Sequence, residues 1–432
     1  MQYAFDRAKD DALRMLREAL PEIAFSENEF TAPPGRALGD LSFPCFQAAA
    51  SLGKKPGEVA AELRAKLKPS GFVERVEFAG PYLNFFFKRQ KLTAAVLQEA
   101  RSQGARYGQA SKNSERVLVE YVSPNTNKPL HLGHVRNAAL GESICNLLEA
   151  SGSRVIRALL LNDRGTNIAK STLGYLRWGE GKTPKSEGVK GDHFVLKFYV
   201  LYEQKAKDDP TLETEMRALL ARWEQGDRAT RALVSRMNRW VLAGHAKTYR
   251  SLGVRFDRVY RESEVYEKGR EMALDGLARG IFKRDETGAI VAPLASHGLP
   301  DKVLLRADGT AIYATADLYL AKKRFEDERL TKSVYCVGSE QALYFKQLFK
   351  IFELLGFSWA KDCRHRSYGL IFLPEGKMKS REGTVVDADE FLEKLEQYAA
   401  EGIKARHDFL SEREVGHRAS AVALAALKFY IL

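Results

Sequence analysis

Cysteine is scarce. The four present (Cys45, Cys145, Cys336, Cys363) lie far apart and form no CxxC pair, which argues against a disulfide framework and against a zinc knuckle or other structural metal held by the protein. Long apolar runs are missing too, and none nears the about 20 residues a membrane-spanning helix needs. The opening residues, MQYAFDRAKDDALRML, mix acids among apolar positions and lack a signal-peptide core, so the expected location is cytoplasmic, with no membrane partner. No internal repeat or low-complexity tract is visible. Acidic residues are outnumbered, 56 against 68 basic ones, a net charge of +12. That excess suits a polyanionic partner, nucleic acid before an anionic membrane, although a basic cytosolic enzyme would read the same way.

What is present points to a globular chain, 45% hydrophobic and 29% charged over 432 residues, long enough for two or three domains. Phe5, Ala8, Ala12, Leu13, Leu16 and Leu20 recur at helical spacing, predicting an amphipathic first helix. After the Pro/Gly-rich TAPPGRALGD, a second helical pattern runs from Phe43 to about Lys68, and VERVEFAG and YLNFFF read as strands around a Gly-Pro turn. This predicts a small N-terminal α+β domain over residues 1–110, closed by the polar linker SQGARYGQASKNSER. A different grammar follows. VLVEYV (117–122) reads as a buried strand, SPNTNKPLHL as a loop, GHVRNAALGESICNLLEASG as a helix closed by Gly152, and RVIRALLL as a parallel strand. Strand, loop, helix, strand is the pattern of a doubly wound sheet. The expected fold class is therefore α/β, with a Rossmann-like, HUP-type parallel-sheet domain over residues 111–383. A charged helical insertion is expected at about 170–300, and sheet segments return at DKVLLRADG, AIYATA, SVYCVG and YGLIFL. Helix resumes over 384–415, and residues 416–432 end at ALAALKFYIL inside an apolar helical pattern whose face needs a partner.

Two short motifs carry chemistry. His131-Leu132-Gly133-His134 stands where the Pro129 loop meets a helix, and unpaired backbone N–H groups and the helix dipole favour phosphate there. Three residues apart, the imidazoles share one side of the first turn. They could hold the α-phosphate of a nucleotide while charge builds during in-line displacement, and Gly133 removes a side chain where a flat base would approach. By itself, HxGH is also a helix start that carries two histidines. The second motif, Gly376-Lys377-Met378-Lys379-Ser380-Arg381-Glu382-Gly383, lets a loop close between two glycines. Its cations Lys377, Lys379 and Arg381 could neutralise a leaving pyrophosphate. By itself it is a solvated basic turn. In this order the two bracket one nucleotide-binding sheet, at the ends where such sheets take their ligands.

The longer stretch VEYVSPNTNKPLHLGHVRNAALGESICNLLEASGSRVIRALLLNDRGTNIAKS resembles the active-site segment of the arginyl-tRNA synthetases over its whole length. GDHFVLKFYVLYEQKA, VRFDRVYRESEVY, LLRADGTAIYATADLYLA, YCVGSEQ and LPEGKMKSREGTVV are similar to later landmarks of that family, in the same order. GDLSFPCFQAAASLGKKPGEVA and FAGPYLNFFF resemble its additional N-terminal domain, which in the family binds the tRNA elbow. The resemblance covers nearly all of the chain. It implies a monomer that activates L-arginine with ATP and Mg²⁺ to arginyl-adenylate and transfers the arginine to tRNA(Arg), with residues 384–415 near the tRNA stem. It implies catalytic roles for His131, His134, Lys128 and Lys377, and ATP contacts from His131, Gly133, His134, Lys377, Lys379 and Ser380. It places arginine against Glu120, Tyr121, Asn125, His131, Tyr313, Asp317 and Gln341. A guanidinium is a planar, always-charged fork that demands carboxylates and acceptors, and lysine would leave part of such a site unpaired. Asp317 is expected on the guanidinium and Glu120 on the α-ammonium, with the two exchangeable. Tyr313 and Asp317, four apart, face one way if their segment is helical. The second lysine of the family's loop is absent, since Ser380 follows Lys379. The resemblance implies that Lys128, three residues before His131, serves the phosphates instead; a solvated loop lysine is the alternative.

Two departures from the family stand out. KMKSREG exchanges Lys379 and Glu382 relative to the usual loop, conserving net charge but moving it. The family also continues beyond VALAALKFYIL into a helical anticodon-binding domain, of which residues 416–432 would be the first helix. A shortened form would read anticodons weakly or not at all, and because this family needs tRNA to activate arginine, catalysis is at stake. Two rival readings follow. A smaller nucleotidylyltransferase shares HxGH, but the GKMKS loop, the length and the N-terminal domain argue against it. A catalytically impaired, synthetase-like RNA-binding or regulatory paralogue is favoured by the missing domain and disfavoured by the intact HLGH.

Overall fold

The computed structural model describes residues 3–310, 312–373, 376–377 and 386–432. The chain divides into two compact units, Met1–Ser111 and Lys112–Leu432. In the first, α1 (Ala4–Ala19) covers an antiparallel sheet of β1 (Leu41–Pro44), β2 (Val73–Ala79) and β3 (Tyr82–Phe87), in the order β1-β3-β2. Helices α2 (Phe46–Leu52), α3 (Pro56–Lys66) and α4 (Arg89–Gln103) complete it. Ala8, Ala12 and Leu16 form one i, i+4 row, wholly buried in the core shared with Phe43, Phe85 and Phe87. The helical pattern read from Phe43 to Lys68 is in fact three elements. Its first residues pair with β3 as β1. The helix then breaks at Gly53, which takes a left-handed φ of 63°, and restarts with Pro56 in the first turn of α3.

The second unit is built on a five-stranded parallel sheet of β4 (Arg116–Glu120), β5 (Arg154–Leu161), β6 (Arg258–Arg261), β10 (Lys332–Gly338) and β11 (Cys363–Tyr368). Across the sheet the order is β11-β10-β4-β5-β6, so the winding reverses between β4 and β10. That reversal leaves a crevice at the carboxyl ends of the two strands, the place where doubly wound sheets bind ligands. Helix α5 (Leu132–Ala150) joins β4 to β5. Five helices separate β5 from β6: α6 (Thr166–Trp178), α7 (Pro184–Glu187), α8 (Gly191–Lys205), α9 (Thr211–Glu224) and α10 (Arg228–Ser251). After β6 come α11 (Glu262–Ala278), a small antiparallel sheet of β7 (Lys283–Arg284), β8 (Ile290–Ala292) and β9 (Lys302–Leu305), and then α12 (Tyr313–Glu328). Helix α13 (Ala342–Leu354) links β10 to β11. A two-residue ladder joins β12 (Phe372–Leu373) to β13 (Gly376–Lys377), and α14 (Ala388–Lys404) and α15 (Glu412–Ile431) close the unit.

The two faces of β4 set up everything that follows. Val117, Val119 and Tyr121 point into a core shared with α5, α14 and α15. Leu118 points the other way, with Ala316 and Leu320 of α12 and Val265 of α11. Four sequence expectations change, the first being YGLIFL, of which only Tyr368 belongs to the main sheet and Phe372–Leu373 to the separate two-residue ladder. Within AIYATA, Tyr313–Ala316 open α12 instead of forming a strand, because the segment packs helix to helix: Gly269 of α11 lies so close to the Thr315 carbonyl that a Cβ there would sit at 2.0 Å. DKVLLRADG contributes β9 to the small antiparallel sheet and not to the main one. Strand β6 falls inside the range read as insertion, so the helical excursion runs only from α6 to α10. No helix among the described residues is long and apolar enough to cross a membrane.

Candidate active site

At the carboxyl ends of β4 and β10 lies a cavity of about 710 Å³, a size suited to a nucleotide or a small organic ligand. One wall is the first turn of α5. His131 is its N-cap, with extended backbone (φ −121°, ψ 171°). Its Nδ1 accepts the Gly133 N–H at 3.1 Å, and the His134 Nδ1 accepts the His131 N–H at 3.1 Å. Two histidines thus perform the reciprocal capping usually done by a hydroxyl and a carboxylate. Because each Nδ1 accepts, each neutral ring carries its proton on Nε2 and keeps that N–H for a ligand. The rings stack at 3.8 Å. Burial, aided by the charge of Lys128, lowers His131 to about 4 and holds His134 well below the usual imidazole value. At neutral pH the site therefore offers uncharged N–H donors beside the helix N-terminus. The Lys128 carbonyl is bonded to Nε2 of the buried His245 at 2.9 Å, which anchors the loop just ahead of the histidines.

The opposite wall is acidic. Glu120 leaves the end of β4 on the α12 side and forms an ion pair with the buried Arg324, and its Oε1 accepts the Ser123 hydroxyl at 3.2 Å. Asp317, on α12, accepts a hydrogen bond from the Tyr344 hydroxyl. Burial first, and then the nearby Glu120, push the Asp317 carboxyl up to about 7 against the pull of Tyr344 and Arg324. Glu262 opens α11 at 6% exposure. Burial raises it to about 7 as well, with Asp317 and Asp163 adding to the effect and Arg164 opposing it. Its Oε1 is 3.6 Å from Arg164, and its Oε2 has no hydrogen-bond partner among the described residues. A buried carboxyl facing a cavity with an unsatisfied oxygen is a group waiting for a donor.

Of the residues expected from sequence, Glu120, Asn125, His131, Gly133, His134, Asp317 and Gln341 line this one cavity. Lys128 stands near enough for its charge to act on both imidazoles. Tyr313 opens α12, one turn before Asp317. Lys377 lies in β13, its backbone paired with Phe372, while Lys379 and Ser380 fall outside the described residues. The residues after that segment return to the site: Leu132 donates to the Val386 carbonyl at 3.1 Å and Ala388 donates to the Leu130 carbonyl at 3.0 Å. Tyr121 is the correction. Next to Glu120 on a strand, it points to the opposite face, where it is wholly buried under Gly141 and its hydroxyl donates to Glu142 at 2.8 Å. It does not reach the cavity. Glu120 lines the cavity as expected and also has a partner, the buried Arg324. Sequence reading missed Glu262, Arg324 and Tyr344. Glu262 carried a usable signal, an acid at a strand-to-helix corner on the ligand-binding edge of the sheet. Arg324 and Tyr344 carried none, being helical residues whose partners are distant in sequence.

Below the loop anchor, Lys190 Nζ contacts Asp192 at 3.0 Å, Thr248 at 2.7 Å and also Asp389, and His193 Nε2 lies 3.4 Å from Asp389. Asp192, His193 and Asp389 are spaced as metal ligands could be. The ammonium of Lys190 already sits among these carboxylates, so the group does not fit a resident metal.

Comparison with known proteins agrees with this architecture. Residues 96–432 match the family described as tRNA synthetases class I (R), catalytic domain, and residues 8–87 match the arginyl tRNA synthetase N terminal domain. The arginine–tRNA ligase of Treponema denticola is 41% identical over 424 residues, covering 96% of this chain and 71% of that one. That of Treponema pallidum is 42% identical over 407 residues, covering 93% and 69%. Among solved structures, Thermus thermophilus arginyl-tRNA synthetase superposes with a TM-score of 0.76 at 24% identity, over 98% of this chain and 75% of its own, which speaks to the fold. With both units matched in sequence and the reversed parallel sheet matched in structure, the chain belongs to the class I arginyl-tRNA synthetase family.

Proposed function

We infer that this chain is an arginine–tRNA ligase, whose cavity joins L-arginine to the α-phosphate of ATP and then passes it to the terminal ribose of tRNA(Arg). One observation carries the reading: carboxyls, with Glu120 and Glu262 buried and Asp317 half-buried, and a pair of neutral, Nε2-protonated histidines line a single cavity. The acids Asp317 and Glu262 suit a guanidinium, which supplies five N–H donors and a fixed positive charge. Glu120, held by Arg324, and Asn125 are left for the ammonium end.

With the guanidinium seated among the acids, the arginine carboxylate extends toward the first turn of α5 and attacks the α-phosphorus in line. Nε2–H of His131 and His134, with the helix N-terminus, stabilises charge on the phosphate oxygens, and Lys128 adds a cation. Lys377, Lys379 and Ser380 are assigned to the leaving pyrophosphate, and Mg²⁺ arrives with ATP as part of the substrate. No side chain forms a covalent bond; positioning and electrostatics supply the acceleration. The N-terminal unit is assigned to the tRNA elbow, a role supported by its family match at residues 8–87. ATP–pyrophosphate exchange in the presence of tRNA(Arg) tests the reading. Exchange should require arginine and be abolished in Asp317→Ala; exchange that is indifferent to arginine, or to that substitution, would remove it.

A further inference from the structure

The turn that leads out of β4 is strained; Asn162 Nδ2 donates to its Ser123 carbonyl at 3.3 Å, and a side chain of α5 holds its first amide. Val122 and Ser123 have φ of 71° and 41°, a left-handed conformation that is a real outlier for a β-branched residue. The Ser123 N–H donates to the Tyr121 carbonyl at 3.0 Å, closing a three-residue turn around Val122. The Val122 N–H donates to Oδ1 of Asn137 at 2.8 Å. Asn137 is 7% exposed, and its Nδ2 donates to the Cys336 carbonyl at 2.9 Å and to the Tyr368 hydroxyl at 2.8 Å. This one amide therefore ties together β4, β10 and β11 at their ligand-binding ends. It does so from α5, a single turn beyond His134.

The bend has a consequence for the cavity. Immediately after it, Pro124 accepts the Asn162 N–H at 3.2 Å, and Asn125 bridges to Asn162. Ser123 is left beside Glu120, and Asn125 is left on the cavity wall. Without a clamp on the Val122 amide, the strand would relax to an ordinary φ and carry Ser123 and Asn125 with it.

We propose that Asn137 is a positioning residue for arginine: it holds the left-handed Val122–Ser123 turn that places Ser123 and Asn125 on the amino-acid side of the cavity, at a fixed distance from the histidines. The proposal rests on the arginine-ligase reading for its substrate but not for its geometry. The test uses the full chain in four forms: wild type, Asn137→Ala, Val122→Gly, and both together. Glycine takes a positive φ without steric cost, so it should lessen the need for the clamp. In tRNA-dependent pyrophosphate exchange, Asn137→Ala should raise the arginine KM by about tenfold or more and the ATP KM by less than about threefold, and the same change on the Val122→Gly background should cost at least about threefold less. Arginine and ATP KM rising together, or an equal effect of Asn137→Ala on both backgrounds, overturns the proposal. Amide hydrogen exchange is read in parallel. The Val122 amide should lose protection in Asn137→Ala, and unchanged protection overturns the proposal even if the wild type shows no arginine-dependent exchange, a result that would itself defeat only the functional reading. If Asn137→Ala does not fold, Asn137→Ser, which leaves room for a water, carries the same measurements.

Discussion

The backbone amide of Leu132 donates to the carbonyl of Val386 at 3.1 Å, and the Ala388 amide returns a bond to Leu130 at 3.0 Å. This antiparallel clasp fastens the histidine turn to residues 386–388, which follow the basic segment in sequence. Asp387 caps α14 directly behind it, accepting from the Asp389 and Glu390 amides, so the first turns of α5 and α14 share one fixed base.

That base is held from below by Lys190. Lys190→Met would leave Asp192, which is fully buried, and Asp389 without their cation. Breaking a buried pair by removing one partner costs about 3–5 kcal/mol, less where a partner is partly exposed, so a loss of about 2–4 kcal/mol is expected. Urea denaturation measures it. Stability within about 0.5 kcal/mol of wild type, the range of ordinary surface changes, would show that the cluster holds nothing.

Asp317→Asn keeps the shape of the acid and removes its charge. Truncating one side of a buried charged hydrogen bond costs about 2–5 kcal/mol, so kcat/KM for arginine should fall by at least about 30-fold. Thermal stability should be unchanged or higher, because burial disfavours the ionised carboxyl in the free protein. Glu262→Gln should behave alike. Steady-state kinetics with melting curves separates the two effects.

Arginine affinity should depend on pH in one direction. Asp317 and Glu262 sit near 7 in the free protein, raised above ordinary carboxyls mainly by burial, and a guanidinium favours their ionised forms. Below pH 7 the ligand must expel protons, so affinity weakens as pH falls through 7, by up to about tenfold per unit for each carboxyl, and levels off above about 8. The ligand-free fold follows the opposite sign. Raised carboxyl pKa values contribute stability that is complete below about 4 and lost as pH rises through 7. Calorimetry between about pH 5.5 and 8.5 in two buffers of different ionisation heat counts the protons.

His131 has a structural and a chemical job, and substitution can part them. His131→Ser keeps a capping oxygen, so stability should stay within about 0.5 kcal/mol, whereas His131→Ala should lose about 1 kcal/mol. Both should lower kcat by about 10²-fold or more through loss of a preorganised donor. Nitrogen-15 NMR should find the Nε2–H tautomer in the wild type and titration of His131 near 4 rather than 6.5. Because this imidazole is lowered on folding, its contribution to stability is present above 6.5 and is lost as pH falls toward 4.

The doubly wound sheet was readable because β4, α5 and β5 carry their signals locally, in VLVEYV, in a helical stretch closed by Gly152 and in RVIRALLL. The HLGH turn was readable for the same reason. What failed was whatever depends on the partner across a gap. AIYATA looks like alternation until Gly269 brings α11 against it. Tyr121 sits one residue from Glu120, and only the pairing of β4 between β5 and β10 decides which of them faces α12. Arg324 and Tyr344 announce nothing in sequence, since a buried guanidinium and a helical hydroxyl acquire meaning only once their partners Glu120 and Asp317 are brought beside them.

The central claim is that buried acids recognise a flat cation, and the most direct test is calorimetric titration of the folded protein with L-arginine, L-citrulline and L-lysine. Citrulline keeps the shape without the charge, and lysine keeps the charge without the fork. The account predicts that arginine binds and that each of the others binds at least about 100-fold more weakly. Citrulline or lysine binding as tightly as arginine would contradict it.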